Sequence, residues 1–184
     1  MRTSISQQDL IKELKAYTVD HLLRAEKMQE LDFSLLSRRP DEYSWSANDC
    51  AQHLNMYFDF YLPEIKKRLK NAASKSPGKN FRAGLLGDYF AKSMLPQEEL
   101  NTMKTLKKTN PLNFRVNENA LTELIKNLKE MQVLLGSLSA FDLARIKTSI
   151  SISSLIKLKL GDTLRVVIYH NERHLRQAEK ALRG

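Results

Sequence analysis

LGDTLRVVIYHNERHLRQAEKAL, residues 160–182, is the stretch on which the fold turns. Its apolar and polar positions recur with the 3.6-residue period of an α-helix, opening at Gly161-Asp162-Thr163 and running to about Arg183. His170 and His174 stand at i and i+4, so their side chains share one face. Leu160, Val167 and Ala178 lie on that face too, which turns the pair toward the interior. Two imidazoles one turn apart can hold a divalent ion from one side, leaving room for a ligand from a facing helix.

The facing helix is signalled at Ser46. This serine can cap, and Asp49 three residues on makes a weaker relative of the Ser-x-x-Glu box. Cys50, His53, Leu54, Tyr57, Tyr61, Ile65 and Leu69 follow at helical spacing to about Ala73, with a kink or local break expected at Pro63. His53 is the natural third ligand beside His170 and His174. Its plainer reading is a core histidine with a satisfied hydrogen bond. Against that stands the cost of burying three neutral imidazoles without partners.

HNERH is not the zinc-protease HExxH, in which the glutamate directly follows the first histidine and acts as base. Glu172 is two positions on, about 200° around the helix from His170, and reads as a surface glutamate paired with nearby arginines. His21 reads as a core histidine or a support to the site, and Cys50 as a small core residue. Gln177 continues the histidine face and can orient a ligand or water. Trp45, Tyr57 and Tyr61 read as packing.

Two more long helices complete the map. The first spans about residues 6–34, striped by Leu10, Leu14, Tyr17, His21, Ala25, Met28 and Leu31, and it stops near Arg38-Arg39-Pro40. The other spans roughly 117–138, striped by Leu121, Leu124, Ile125, Leu128, Met131, Leu135 and Leu138. Residues 74–116 form a long crossover with one short helix around Leu85–Met94, ended before Pro96. A connection of that length usually covers a site. TSISISSLI (148–156) alternates like a strand, but with no partner strand identifiable it reads as an extended connection.

Composition agrees with this map. Among 184 residues, Gly and Pro number only 6 and 5, too few for the turns of a β-sandwich or barrel. No apolar run approaches the roughly 20 residues of a membrane span. The opening MRTSISQQDLIKEL lacks the apolar stretch of a signal peptide, and a single cysteine cannot form an internal disulfide, so a reducing cytoplasm is expected. The net charge of +9 attracts polyanions non-specifically. Lys66, Lys67, Arg68, Lys70, Lys75, Lys79 and Arg82 cluster without intervening acids, but half the cluster lies in the loop-like AASKSPGKNF, whereas a nucleic-acid reader sets such charges along a helix with stacking groups between them. They read as a solvated face and loop.

The run from Trp45 to Leu54, WSANDCAQHL, together with LGDTLRVVIYHNERHLRQAEKAL, resembles the DinB-like superfamily. The first run matches the start of that family's second helix, with its Trp-Ser pair and later His-Leu pair. The second matches its terminal helix, with its His-x-x-x-His and trailing Arg-Gln. Asp49 stands where glutamate is common, which alters the cap more than the site. The resemblance implies an all-α four-helix bundle, one domain over residues 1–184, with a long crossover between helices 2 and 3. It also implies a divalent transition metal (Zn, Ni, Fe or Mn) on His53, His170 and His174. Family members with known reactions include thiol-dependent transferases and isomerases that use bacillithiol, mycothiol or glutathione.

Two functional classes lead, and a nucleic-acid binder is a third that rests on net charge alone. One is a metal-dependent enzyme, a thiol S-transferase using a low-molecular-weight thiol or a hydrolase, acting on a small electrophilic substrate. The other is a non-enzymatic stress-response or interaction bundle whose metal site is structural or vestigial. The expected partner is a small molecule, with no specific nucleic acid and no membrane; a homodimer stays open.

Overall fold

A computed structural model describes residues 4–72, 77–95 and 105–183. The Ser6 hydroxyl oxygen accepts the Asp9 N–H and caps α1 (Gln7–Gln29). The expected stripe is its buried face through Leu10, Leu14, His21, Ala25 and Met28. The helix ends five residues earlier than its periodicity suggested. Asp32 adopts extended backbone and restarts the chain as a single turn, α2 (Phe33–Leu36), while Leu31 is left exposed.

The anticipated cap opens α3 (Ala47–Lys70) as a complete capping box. Asp49 N–H donates to the Ser46 hydroxyl at 3.0 Å, and Ser46 N–H donates to the Asp49 carboxylate at 2.9 Å. The Arg39 guanidinium donates twice to the same carboxylate, at 2.7 and 3.0 Å. The helix does not break at Pro63. The proline and Asp59, whose carbonyl loses its helical donor, both lie on the exposed side, open to solvent.

With α5 (Ala120–Ser137) and α6 (Leu160–Arg183), these helices form the four-helix bundle. α3 packs on α5 and α6, and α1 packs on the same two, which sets α1 and α3 on one diagonal. Leu14, Leu54, Leu124, Leu128, Leu135 and Leu164 fill the core with no exposed surface. Each such leucine contributes about 1.5–3 kcal/mol of burial free energy.

The crossover between α3 and α5 carries the expected short helix, α4 (Leu85–Met94), laid against α6; Pro96 lies outside the described residues. At Gly87 an added Cβ would sit 2.4 Å from the Asp162 side chain, so the contact requires glycine. Two small sheets trim the bundle. β1 (Ser4–Ser6) pairs antiparallel with β2 (Asn80–Arg82), which the sequence did not announce.

The 148–156 stretch is not an unpaired connection. β3 (Lys147–Ile150) turns back and pairs antiparallel with β4 (Ser153–Lys159), with a register irregularity at Ser149/Ile150. The partner strand begins in the second half of the same segment and runs on to Lys159, where most of the pairing lies. A hairpin this small is marginal alone, but it is tied to the bundle. Thr148 shares a 2.6 Å hydroxyl bond with Thr163, and the Ser149 and Ser151 N–H groups donate to Glu64 and the Tyr61 hydroxyl.

Candidate metal centre

His53 lies two turns into α3, and His170 and His174 lie on the α6 face packed against it. All three rings are buried. Their Nε2 atoms converge: that of His170 is 3.2 Å from that of His53 and 3.1 Å from that of His174.

The far nitrogens fix the tautomers of two rings. His53 Nδ1 is 2.6 Å from the Thr109 carbonyl oxygen, and His174 Nδ1 is 2.9 Å from Gln177 Oε1. Both partners accept, so each Nδ1 carries the proton and donates it. The Nε2 atoms of His53 and His174 therefore present lone pairs to His170 Nε2. A neutral His170 can put one proton there at most, and one N–H cannot satisfy two lone pairs. A cation satisfies all three. Nitrogens this far apart also suit adjacent ligands around one ion at bonds of about 2.0–2.1 Å. The residues fit the metal.

Burial lowers the His53 pKa to about 4, partly opposed by the bond to Thr109. His170 and His174 are held well below the ordinary value, first by burial and then by positive charge on neighbouring histidines. All three are neutral at pH 7, the state a metal requires. The rings are also wedged in place. Trp45 stacks on His174 at 5.4 Å and 24°, and Tyr57 lies 4.2 Å from His170.

A cleft of about 1090 Å³ opens onto the triad. Its wall combines Trp45 before α3, Tyr89 and Phe90 of α4, Leu106 of the crossover, and Ile150 and Ile152 of the β3–β4 hairpin. The crossover, whose length suggested that it covers a site, supplies part of this wall, and so does the hairpin. Among the described residues, no fourth His, Cys, Asp or Glu joins the three ligands.

The other candidates separate from this centre. His21 is a fully buried core histidine whose Nε2 meets Glu172 at 3.1 Å. Cys50 is buried and its thiol pKa is pushed up by burial, as befits a core residue. Gln177 orients a candidate ligand, accepting the Nδ1–H of His174, and lines the cleft as well. Glu172 does face away from the triad and does pair with arginines, Arg24 at 2.7 Å and Arg176. It is not a surface residue, however: at 4% exposure it is sealed between α6 and α1. Asp20, His21 and Glu172 come close enough to suggest a second metal cluster, but the Arg24 guanidinium already donates to Asp20 and Glu172. That cation makes the group an ion network.

Tyr57 and Trp45, read as packing, in fact line the site against its ligands. Thr109 was invisible in the sequence because its contribution is a main-chain carbonyl. In the basic cluster, Lys66 and Arg68 pair with Glu130 and Glu64, and Lys75 lies outside the described residues. No described helix is long and apolar enough to cross a membrane.

A bundle with a long crossover and three inward histidines on its second and last long helices defines a helical-bundle class with a candidate three-histidine metal site. The model of the DinB superfamily matches residues 18–178, most of the chain, and the protein belongs to that superfamily. No curated protein and no solved structure matches it.

Proposed function

We propose that this protein is a metal-dependent enzyme that transfers a low-molecular-weight thiol to a small electrophilic substrate. The observation that carries the reading is the convergence of three neutral, buried imidazoles at the floor of an open cleft with no fourth protein ligand among the described residues. A structural site is closed by four ligands, whereas a catalytic one keeps a position free.

His53, His170 and His174 would hold the ion, with Thr109 and Gln177 fixing two of their rings. When bound, the ion supplies Lewis acidity, which lowers the pKa of a thiol or water brought to it. The choice between thiol transfer and hydrolysis turns on a base. Among the described residues lining the cleft, Asp41 is the only carboxylate, and it is exposed and committed to the Tyr43 N–H and the Ser44 hydroxyl. Tyr57 is kept protonated, its pKa raised by burial. A thiol, free pKa about 8.5, starts far more acidic than water, so with the ion's help it gives its proton to solvent more readily and depends less on a protein base. In the transfer, sulfur bonds to the electrophilic carbon, the leaving group departs with its electron pair, and the thiol proton passes to it or to solvent.

The test is spectroscopic. Cobalt-loaded protein titrated with a small thiol should develop a sulfur-to-metal charge-transfer band and release a proton. The His53→Ala variant should show neither. A cobalt spectrum indifferent to every added thiol and anion would replace this reading with that of a structural bundle.

A further inference from the structure

Part of the rim of the cleft is apolar and faces water. Tyr89 of α4, Leu106 of the crossover and Ile152 at the hairpin turn all line the cleft, yet each is exposed. The same three segments hold further apolar groups in solvent: Leu85 and Leu86 on the first turn of α4, and Leu155 of β4 at 92% exposure. Single exposed leucines are ordinary, but a patch of them marks a contact surface.

The three segments are tied to one another. Lys108, two residues after Leu106, donates to the Ser151 carbonyl at 2.8 Å, next to Ile152. Leu155, Lys157 and Lys159 share one face of β4. Lys159, on that face, donates to the Arg82 carbonyl at 2.7 Å, three residues before Leu85. α4 packs on β4 as well.

Charge is segregated onto the same segments. Residues 79–95, 105–116 and 147–159 hold nine lysines and arginines against one acid, Asp88. Asp88 is buried and bonded to Lys92 and Arg165. These stretches account for nearly all of the chain's net charge of +9. The Asp41–Tyr43 stretch, which also meets the cleft, carries acids and lies outside this surface.

Interleaved cations and apolar side chains suit an anionic bilayer. Lysines and arginines are drawn to its headgroups, while leucine and tyrosine enter the boundary between headgroup and acyl chain. A nucleic acid fits less well, because the exposed groups are mainly aliphatic and offer a base no stacking face. A second copy fits less well too, since a two-fold dimer through this surface would set like charges against each other.

We propose that this protein docks on anionic lipid bilayers through this part of the rim, with Leu85, Leu86 and Leu155 entering the headgroup–acyl boundary and the lysines on the headgroups. The expectation of no membrane rested on the lack of a span, and a peripheral contact needs none. Docking is independent of the reaction proposed for the cleft.

The test is co-sedimentation of the full chain, without added metal, with vesicles of phosphatidylcholine alone or mixed with phosphatidylglycerol, at physiological salt. The mixed vesicles should bind about tenfold more tightly or better. Lys107→Gln/Lys157→Gln should lower that affinity about tenfold, and Leu85→Ser/Leu155→Ser should lower it about as much. All four side chains are exposed and none lines the cleft, so the helical spectrum and the cobalt spectrum should stay as they are. Lys126→Gln/Val133→Ser repeats the chemistry on the exposed side of α5, which packs on α1 and α3, and should change nothing. Equal binding to the two kinds of vesicle, or binding to neither, would overturn the proposal. So would an equal loss in the α5 variant, or undiminished binding by the leucine variant, which would reduce the contact to charge alone. An oligonucleotide bound more tightly than the mixed vesicles would assign the surface to nucleic acid instead. None of these outcomes bears on the cobalt–thiol test, so docking and reaction stand or fall separately.

Discussion

The Nδ1–H of His53 donates to the carbonyl oxygen of Thr109 across 2.6 Å, joining a metal-ligand candidate on α3 to the backbone of the crossover. The crossover is thereby part of the centre and not merely its cover. Loading the protein with zinc should slow amide hydrogen exchange at residues 106–113, because fixing the His53 ring fixes its acceptor. Exchange rates there that ignore zinc, while amides near His170 respond, would show that the bond does not transmit the constraint.

Gln177 gives a side-chain version of the same support. Gln177→Leu removes the acceptor for His174 Nδ1–H but keeps all three ligands. Metal affinity should drop about 10–100-fold with the helical spectrum unchanged. Chelator competition measures it directly, and an unaltered affinity would mean that Trp45 stacking alone holds the ring.

The histidines set a pH window for the metal-free protein. All four have native pKa values lowered by burial, that of His53 to about 4, against about 6.5 when unfolded. Below the unfolded value the unfolded chain binds protons that the native chain refuses. Stability should therefore be fully present above about pH 6.5 and fall as pH drops toward about 4. Urea melts of the metal-free protein at pH 7.5, 5.5 and 4.5 should show this decline. The His53→Gln/His170→Gln/His174→Gln variant should show a shallower one; an equal slope would place the dependence elsewhere.

The start of α3 offers a stability test away from the ligands. The Asp49 carboxyl is raised by burial but more strongly lowered by Arg39 and by the N–H and hydroxyl of Ser46, so its pKa is depressed overall. Ser46→Ala should cost about 1 kcal/mol. Asp49→Asn should cost more, since it also leaves Arg39 without its carboxylate. Its deficit should shrink as pH falls through the native Asp49 pKa, because the wild-type carboxylate is then lost too. Denaturation midpoints check both. A neutral Asp49→Asn would mean that solvent screening cancels the pair, whose arginine is half-buried.

Much of this was legible because helices repeat. The stripes of α1, α3, α5 and α6, the Ser46 cap and the i, i+4 spacing of His170 and His174 are local signals, and each is present in the structure. The β3–β4 hairpin was not legible. Its turn at Ser151-Ile152 lacks the Asn-Gly or Asp-Gly signature, and its stability comes from Tyr61, Glu64 and Thr163, which are distant in sequence or on another element. Glu172 was misplaced for a related reason. A charged residue reads as exposed until its partners are known, and His21 and Arg24 lie about 150 positions away. The support from Thr109 leaves no trace in residue identity.

The ion network around Glu172 has a mechanical consequence. α6 is gripped from two opposite sides: His170 and His174 face α3, while Glu172 and Glu179 are latched to Arg24 on α1. A helix held at one edge can roll about its long axis. One held at both edges cannot, and a roll of about 10–20° is enough to spoil a ligand geometry. The latch on the far side thus acts as a torsional stop for the imidazoles, and a residue that never faces the cleft sets the aim of those that do.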